Sequence, residues 1–152
     1  MIEVRQDDPT NPALAALLAE HVAEQHGNVP PGFAFALDAR GLSDPAVTFF
    51  AAWDGARVAG IGALKQLDAQ TGEVKSMRAD ADWRGRGVGH AILSTLVATA
   101  RARGYRRLVL ETGTTAAYDA ALALYRRAGF VACDAFADYR PSPHNQFLTL
   151  AL

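Results

Sequence analysis

Arg84-Gly85-Arg86-Gly87-Val88-Gly89 stands where a strand-like run ends and a helical pattern begins. That placement matters more than the number of glycines. A glycine-rich turn that opens a helix gathers free backbone N–H groups and the positive end of the helix dipole at one spot. Arg84 and Arg86 bring two fixed charges to it. A phosphorylated ligand is the expected occupant, and a pyrophosphate matches best. The stretch is not a Walker A loop, since Gly-x-x-x-x-Gly-Lys-Ser/Thr is absent. Nor is it the dinucleotide fingerprint, because Gly85, Gly87 and Gly89 are spaced G-x-G-x-G and an antiparallel hairpin precedes them. A bare helix-start turn would leave two arginines repelling each other with nothing to offset them.

Upstream, Glu73 to Ala79 reads as the third strand of a meander. Its first two strands, Val47 to Trp53 and Ala56 to Lys65, flank the hairpin signal Asp54-Gly55. Downstream, Val88, Ile92, Leu93, Leu96, Val97 and Ala100 share one helical face, and Gly104 stops that helix. Arg106 to Glu111 is the next strand. Ala116 to Ala128 forms another helix, ended by Gly129, with Tyr118, Ala121, Leu122, Tyr125 and Ala128 on one stripe. Phe130 to Cys133 and Phe147 to Leu152 make a final strand pair. At the other end, Met1 to Arg5 suits a short edge strand, and Asn11-Pro12 caps a helix reaching about Gln25. His21 lies on that helix's apolar stripe and reads as a packed or edge histidine. Residues 27 to 45 form a loop with one helical turn, carry an apolar patch at Phe33, Phe35 and Leu37, and suit a lid. The element order argues an α/β fold, a mixed sheet with helices on both faces, in a single domain over 1–152.

Composition limits what such a domain does. The chain has 152 residues, enough for a proper core, and a formal net charge of −1. That balance gives no support for nucleic-acid binding. A single cysteine, Cys133, makes neither an internal disulfide nor a Cys-based zinc site alone, and no metal is expected. No apolar run approaches membrane-spanning length, and the first residues lack a signal-peptide core. A soluble cytoplasmic protein with no membrane partner is expected.

Arg84, Arg86, Gly87 and Gly89 also fit the Arg/Gln-x-x-Gly-x-Gly signature of the GNAT superfamily of N-acetyltransferases. Glu73 to Arg78 resembles that superfamily's fourth strand, and Leu124-Tyr125-Arg126-Arg127-Ala128-Gly129-Phe130 resembles its Leu-Tyr-x-x-x-Gly-Phe signature. The resemblance covers nearly the whole chain, and the tail Phe136-Ala137-Asp138-Tyr139-Arg140-Pro141 looks like that of uncharacterised bacterial stand-alone acetyltransferases. It implies a mostly antiparallel twisted sheet that splays between its fourth and fifth strands. It also implies acetyl-CoA as co-substrate. The N–H groups of Arg84, Gly85, Arg86, Gly87, Val88 and Gly89 would hold the pyrophosphate. The fourth strand at Met77, Arg78 and Ala79 would face the pantetheine arm. Tyr125 matches the tyrosine that protonates the departing thiolate. Tyr118 stands where the family usually has asparagine, and would supply its hydroxyl to the donor or line the acceptor pocket. Homodimerisation is common in the family, and no residue here decides it.

Amine acetylation needs a base for the ammonium proton and a donor for the oxyanion. Glu73 matches the fourth-strand glutamate of histone-type members, and Glu111 the fifth-strand position of members acting on protein N-termini. Unbroken alternation would put Glu73, Lys75, Met77 and Ala79 on one face. The reading leans to Glu73, and leaves open that Glu73 only pairs with Lys75 on the surface. The 27–45 loop and the tail from Asp138 to Asn145 are best placed to border the acceptor. Their mixed groups suit a small zwitterion such as an amino acid or related metabolite, with Arg140 able to hold a carboxylate. A protein or peptide acceptor, or a non-catalytic CoA-binding sensor, are the alternatives.

Overall fold

Strands dominate where β-branched and aromatic residues alternate, and each change of direction is marked by turn chemistry. Gly55, at φ 59°, reverses the chain between β2 (Val47–Asp54) and β3 (Arg57–Asp68), the hairpin that Asp54-Gly55 predicts. The computed structural model describes residues 1–32 and 37–152. Phe33 and Phe35 of the expected apolar patch lie outside the described residues.

The remaining elements are β1 (Ile2–Gln6), α1 (Ala15–Asn28), α2 (Ala39–Leu42), β4 (Thr71–Ala79), α3 (Val88–Ala102), β5 (Arg107–Gly113), α4 (Asp119–Arg127), β6 (Val131–Ala132) and β7 (Asn145–Ala151). Asn11 caps a short 3-10 turn, Pro12–Leu14, that leads into α1. The helical turn expected in the 27–45 loop is α2. Among the described residues the sheet has seven strands in the order β1-β2-β3-β4-β5-β7-β6. Every pairing is antiparallel except β4–β5.

Two apolar cores clothe the sheet. On one face Val88, Ile92, Leu93 and Leu96 of α3 and Tyr125 of α4 pack with Leu64, Val74, Leu108 and Leu110. On the other, Leu17 and Leu18 of α1 and Leu42 of α2 pack with Phe49, Ala51, Trp53, Ile61 and Ala63. The α3 helix lies directly on strand backbone, since a Cβ at Gly62 would overlap Ile92. Helices therefore cover both faces, as the element order predicts.

Two features of β4 position the site. It pairs with β5 over Thr71–Glu73 against Arg107–Val109, and beyond that the strands part. It also carries a bulge, because Ala63 pairs with Lys75 and Ile61 with Arg78, leaving Ser76 and Met77 opposite Gly62. Ser76 accommodates the extra residue at φ 56°. This corrects the expected alternation. Met77 and Ala79 pack against the α3-side core, Glu73 and Lys75 pair elsewhere, and Arg78 reaches α1.

Candidate active site

The glycine turn rests on a pinned base. Asp80 accepts a hydrogen bond from the Asp82 N–H at 3.0 Å, and the Trp83 N–H donates to the Asp80 carbonyl at 2.9 Å. Trp83 is buried, and its indole N–H donates to Asp54 at 3.3 Å. Arg57 covers the ring at 4.3 Å and pairs with Asp82 at 3.1 Å.

From that base the three glycines serve different ends. Gly85 and Gly87 adopt φ 74° and 82°, left-handed conformations that side chains resist. Gly89 instead sits under α4, where an added Cβ would lie 3.1 Å from Leu124. The Arg86 N–H is bonded to the Trp83 carbonyl at 3.2 Å, and the helical ladder begins with the Ala91 N–H on the Gly87 carbonyl at 3.0 Å. The first-turn N–H groups of α3 before Ala91 therefore have no intrahelical acceptor. Arg84, Gly85, Gly87 and Gly89 line a cavity of about 520 Å³. Arg86 is exposed and outside that wall, and the Val88 side chain is buried in the core.

The cavity runs from this turn into the opening between β4 and β5, lined there by Met77, Arg78, Ala79, Glu73, Glu111 and Tyr125. Tyr125 is buried and packs on Phe130, ring centroids 5.8 Å apart. Burial and the nearby Glu111 charge push its hydroxyl far above the ordinary tyrosine value, so it stays protonated. Burial likewise raises the Glu111 carboxyl to about 7. Lys75 opposes that shift, the Glu73 charge adds to it, and a hydrogen bond with Asn145 opposes it. A carboxyl titrating near neutrality is matched to proton transfer at neutral pH.

Glu73 is placed differently. Its Oε2 accepts from Lys75 Nζ at 3.2 Å and from the Tyr139 hydroxyl at 2.6 Å. The Lys75 and Glu73 side chains are 9% and 4% exposed. The expected Glu73–Lys75 pair exists, then, but as a buried pair rather than a surface couple.

Residues 14–130 match the sequence model of the Acetyltransferase (GNAT) family. The chain belongs to the GNAT acetyltransferase family. It is 45% identical over 152 residues to the uncharacterised N-acetyltransferase YedL of Escherichia coli, spanning 100% of this chain and 96% of that protein. It is 31% identical over 150 residues to a protein of Azospirillum brasilense named IAA acetyltransferase, covering 97% of this chain and 95% of that one. The structure of a putative acyl-CoA N-acyltransferase from Klebsiella pneumoniae superposes with TM-score 0.81 at 30% identity, covering 100% and 98% of the two chains. A GNAT acetyltransferase of Elizabethkingia anophelis with acetyl-CoA bound shares the fold, with TM-score 0.66 at 18% identity over 99% and 98% of the chains. The protein is an acyltransferase of the N-acetyltransferase class, and its family uses acetyl-CoA.

The other bank of this GNAT cleft is built by α1 and the connection between β6 and β7. Arg78 donates to Glu20 at 2.8 Å and to Glu24 at 2.5 Å, tying β4 to α1. His21 is packed, as its stripe position predicts, and burial next to Arg78 lowers its pKa to about 4, keeping it neutral. The Tyr118 ring crosses Gly113, where a Cβ would overlap it, and its hydroxyl donates to Gln25 at 2.9 Å. Of the tail, Tyr139 and His144 line the cavity, whereas Arg140 is exposed and outside its wall. Gln25, Glu24 and Asn28 also line it, and sequence reasoning missed them. Their helical spacing marks a polar face of α1 but carries no sign of what that face meets. Among the described residues no group of three or more His, Cys, Asp or Glu is placed to hold a metal ion. No helix there is long and apolar enough to cross a membrane.

Proposed function

We propose that this GNAT enzyme moves an acetyl group from acetyl-CoA to the primary amine of a small molecule, an amino acid or related metabolite, by direct attack. One observation carries the reading: Glu111 and Tyr125 face the same opening of a cavity whose other end is the glycine turn.

Bound acetyl-CoA supplies an activated thioester carbonyl. The chain's own groups suit it. The positive-φ turn at Gly85 and Gly87, with Arg84 in the wall, offers N–H groups and charge to a pyrophosphate. Beyond Glu73 the β4 edge has no β5 partner, leaving backbone groups for the pantetheine amides. At the bulge, the Met77 N–H is our candidate to polarise the carbonyl.

Glu111 takes the proton from the acceptor's ammonium, because near pH 7 it is both ionised and basic enough to accept it. Glu73, favoured from sequence, is the weaker choice, since its Oε2 already holds two donors. Tyr125 stays protonated and donates to the departing thiolate. We place the enzyme in the cytoplasm as a soluble protein acting without metal or nucleic acid, and a homodimer remains compatible with the fold.

The test is free-thiol release from acetyl-CoA across amines, amino acids, short peptides and the IAA of the Azospirillum relative's name. We expect turnover with a small primary amine. Turnover with peptides alone would overturn the acceptor class. Thermal stabilisation by acetyl-CoA without thiol release from any acceptor would make the chain a sensor.

A further inference from the structure

One side chain that spans the opening beyond the β4–β5 pairing comes from the connection between β6 and β7. It is Tyr139, 66 residues from Glu73 in sequence. Its ring sits on the β7 side of the opening, packed edge-on against Phe136 at 5.1 Å and tilted against Phe147 at 5.8 Å. Phe147 is the register partner of Glu111. The Tyr139 hydroxyl reaches β4 on the other side of the opening, where it donates to Glu73 Oε2 at 2.6 Å and accepts from Lys75 Nζ at 2.8 Å. A phenol has one proton to give, so the direction is fixed. Lysine donates, tyrosine passes the polarity on, and the glutamate receives.

We propose that Tyr139 is a positioning residue of the site: by bonding Glu73 and Lys75 together across the opening, it fixes the charges around Glu111 and keeps Glu73 from competing for the acceptor's proton. This rests on the reading of Glu111 as the base. The groups facing Glu111 are Lys75 and Glu73 from β4, Asn145 from β7, and Tyr125 from α4. Tyr118 and Tyr139 are coupled to it from the two connecting segments, and His144 lines the same cavity. Of these, Lys75 is the cation that favours an ionised Glu111, and Glu73 the anion that opposes it. With the hydroxyl gone, the nearly buried Glu73 keeps one donor and draws the ammonium toward itself, away from Glu111.

The experiment is a carboxyl-carbon NMR titration of the full chain labelled at glutamate, with the Glu111 resonance assigned by its loss in Glu111→Gln. Tyr139→Phe keeps the ring packing and removes only the hydroxyl. We expect the Glu111 midpoint to rise by about half a pH unit in Tyr139→Phe and by more in Lys75→Met, and to fall in Glu73→Gln. A midpoint that stays put or falls in Tyr139→Phe overturns the proposal, even if that variant melts at lower temperature. Glu73→Gln is the near-isosteric control should Lys75→Met fold poorly, and an unmoved midpoint there overturns it as well. The base reading fails separately, if Glu111→Gln retains wild-type thiol release and its pH dependence.

Discussion

The two banks of the cleft are encoded in different ways. The glycine turn is held by backbone bonds of three or four residues' span, such as Arg86 to Trp83 and Ala91 to Gly87. The other bank is held by side chains far apart in sequence, with separations of 93 for Tyr118 and Gln25, 66 for Tyr139 and Glu73, and 58 for Arg78 and Glu20. A site made of backbone depends on local conformation, which glycine positions reveal. A site made of side chains depends on which elements the topology brings together. On the function we propose, the same division assigns donor binding to one bank and acceptor chemistry to the other, and substitutions on each should separate them.

Glu111→Gln is expected to hurt most. Loss of a general base lowers kcat/KM by about 10²–10⁴-fold, while the acetyl-CoA Kd, measured by calorimetry, stays within about twofold. The same variant carries a stability signature. The carboxyl is held at about 7 when folded, raised from 4.5. As pH rises the unfolded chain therefore gives up this proton first, and the folded state loses stability between about pH 4.5 and 7. Glu111→Gln should thus unfold at higher urea than wild type at pH 8, by about 1–3 kcal/mol for a partly solvated carboxyl, and match it at pH 4. Equal stabilities at both pH values would leave only the two donors on Glu73 Oε2 to favour Glu111 over Glu73.

Gly87→Val probes the other bank. Placing a branched side chain at φ 82° costs about 1–2 kcal/mol, which the turn relieves by rearranging. The acetyl-CoA Kd should rise about tenfold, with kcat at saturating donor nearly intact. A fall in kcat without a change in Kd would show that the turn also orders the acceptor side.

Tyr125→Phe should lower kcat by roughly tenfold, since a thiolate whose own pKa is near 8.5 leaves without full protonation. The deficit should shrink with an acyl donor whose thiol is more acidic. A constant deficit across donors would make Tyr125 a packing residue beside Phe130.

The division also explains what the sequence could and could not reveal. The sheet, the helices on both faces and the family were legible because turn residues and apolar periodicity are local signals. The face of Met77 was not. Strict alternation grouped it with Glu73, and a serine at φ 56° broke the period without any glycine to announce it. That one inserted residue turns Arg78 toward Glu20 and Glu24 and puts Met77 beside α3. At Glu73 the strand position and the pair with Lys75 were readable, while the bond from Tyr139 was not. Tyr139 is 66 residues away, and no spacing rule connects the two.

Tyr118 lies on the boundary between the banks, which makes its hydroxyl the finest test of the division. The residue immediately precedes α4, near the path we propose for the donor, where the family usually has an amide, yet the structure commits its hydroxyl to Gln25 of α1 at 2.9 Å. Its ring is fixed independently by Gly113, whose missing side chain leaves room for it. Tyr118→Phe therefore keeps the ring and deletes the hydroxyl's part-buried hydrogen bonds to Gln25 and Asn28 of α1, at a cost of about 1 kcal/mol and a melting temperature lower by about 2–4 °C. The acetyl-CoA Kd should stay within about twofold, because the lost bonds join the start of α4 to α1 and leave the turn untouched. A tenfold weaker Kd would mean that the hydroxyl leaves Gln25 for the donor, and the two banks would then share a residue.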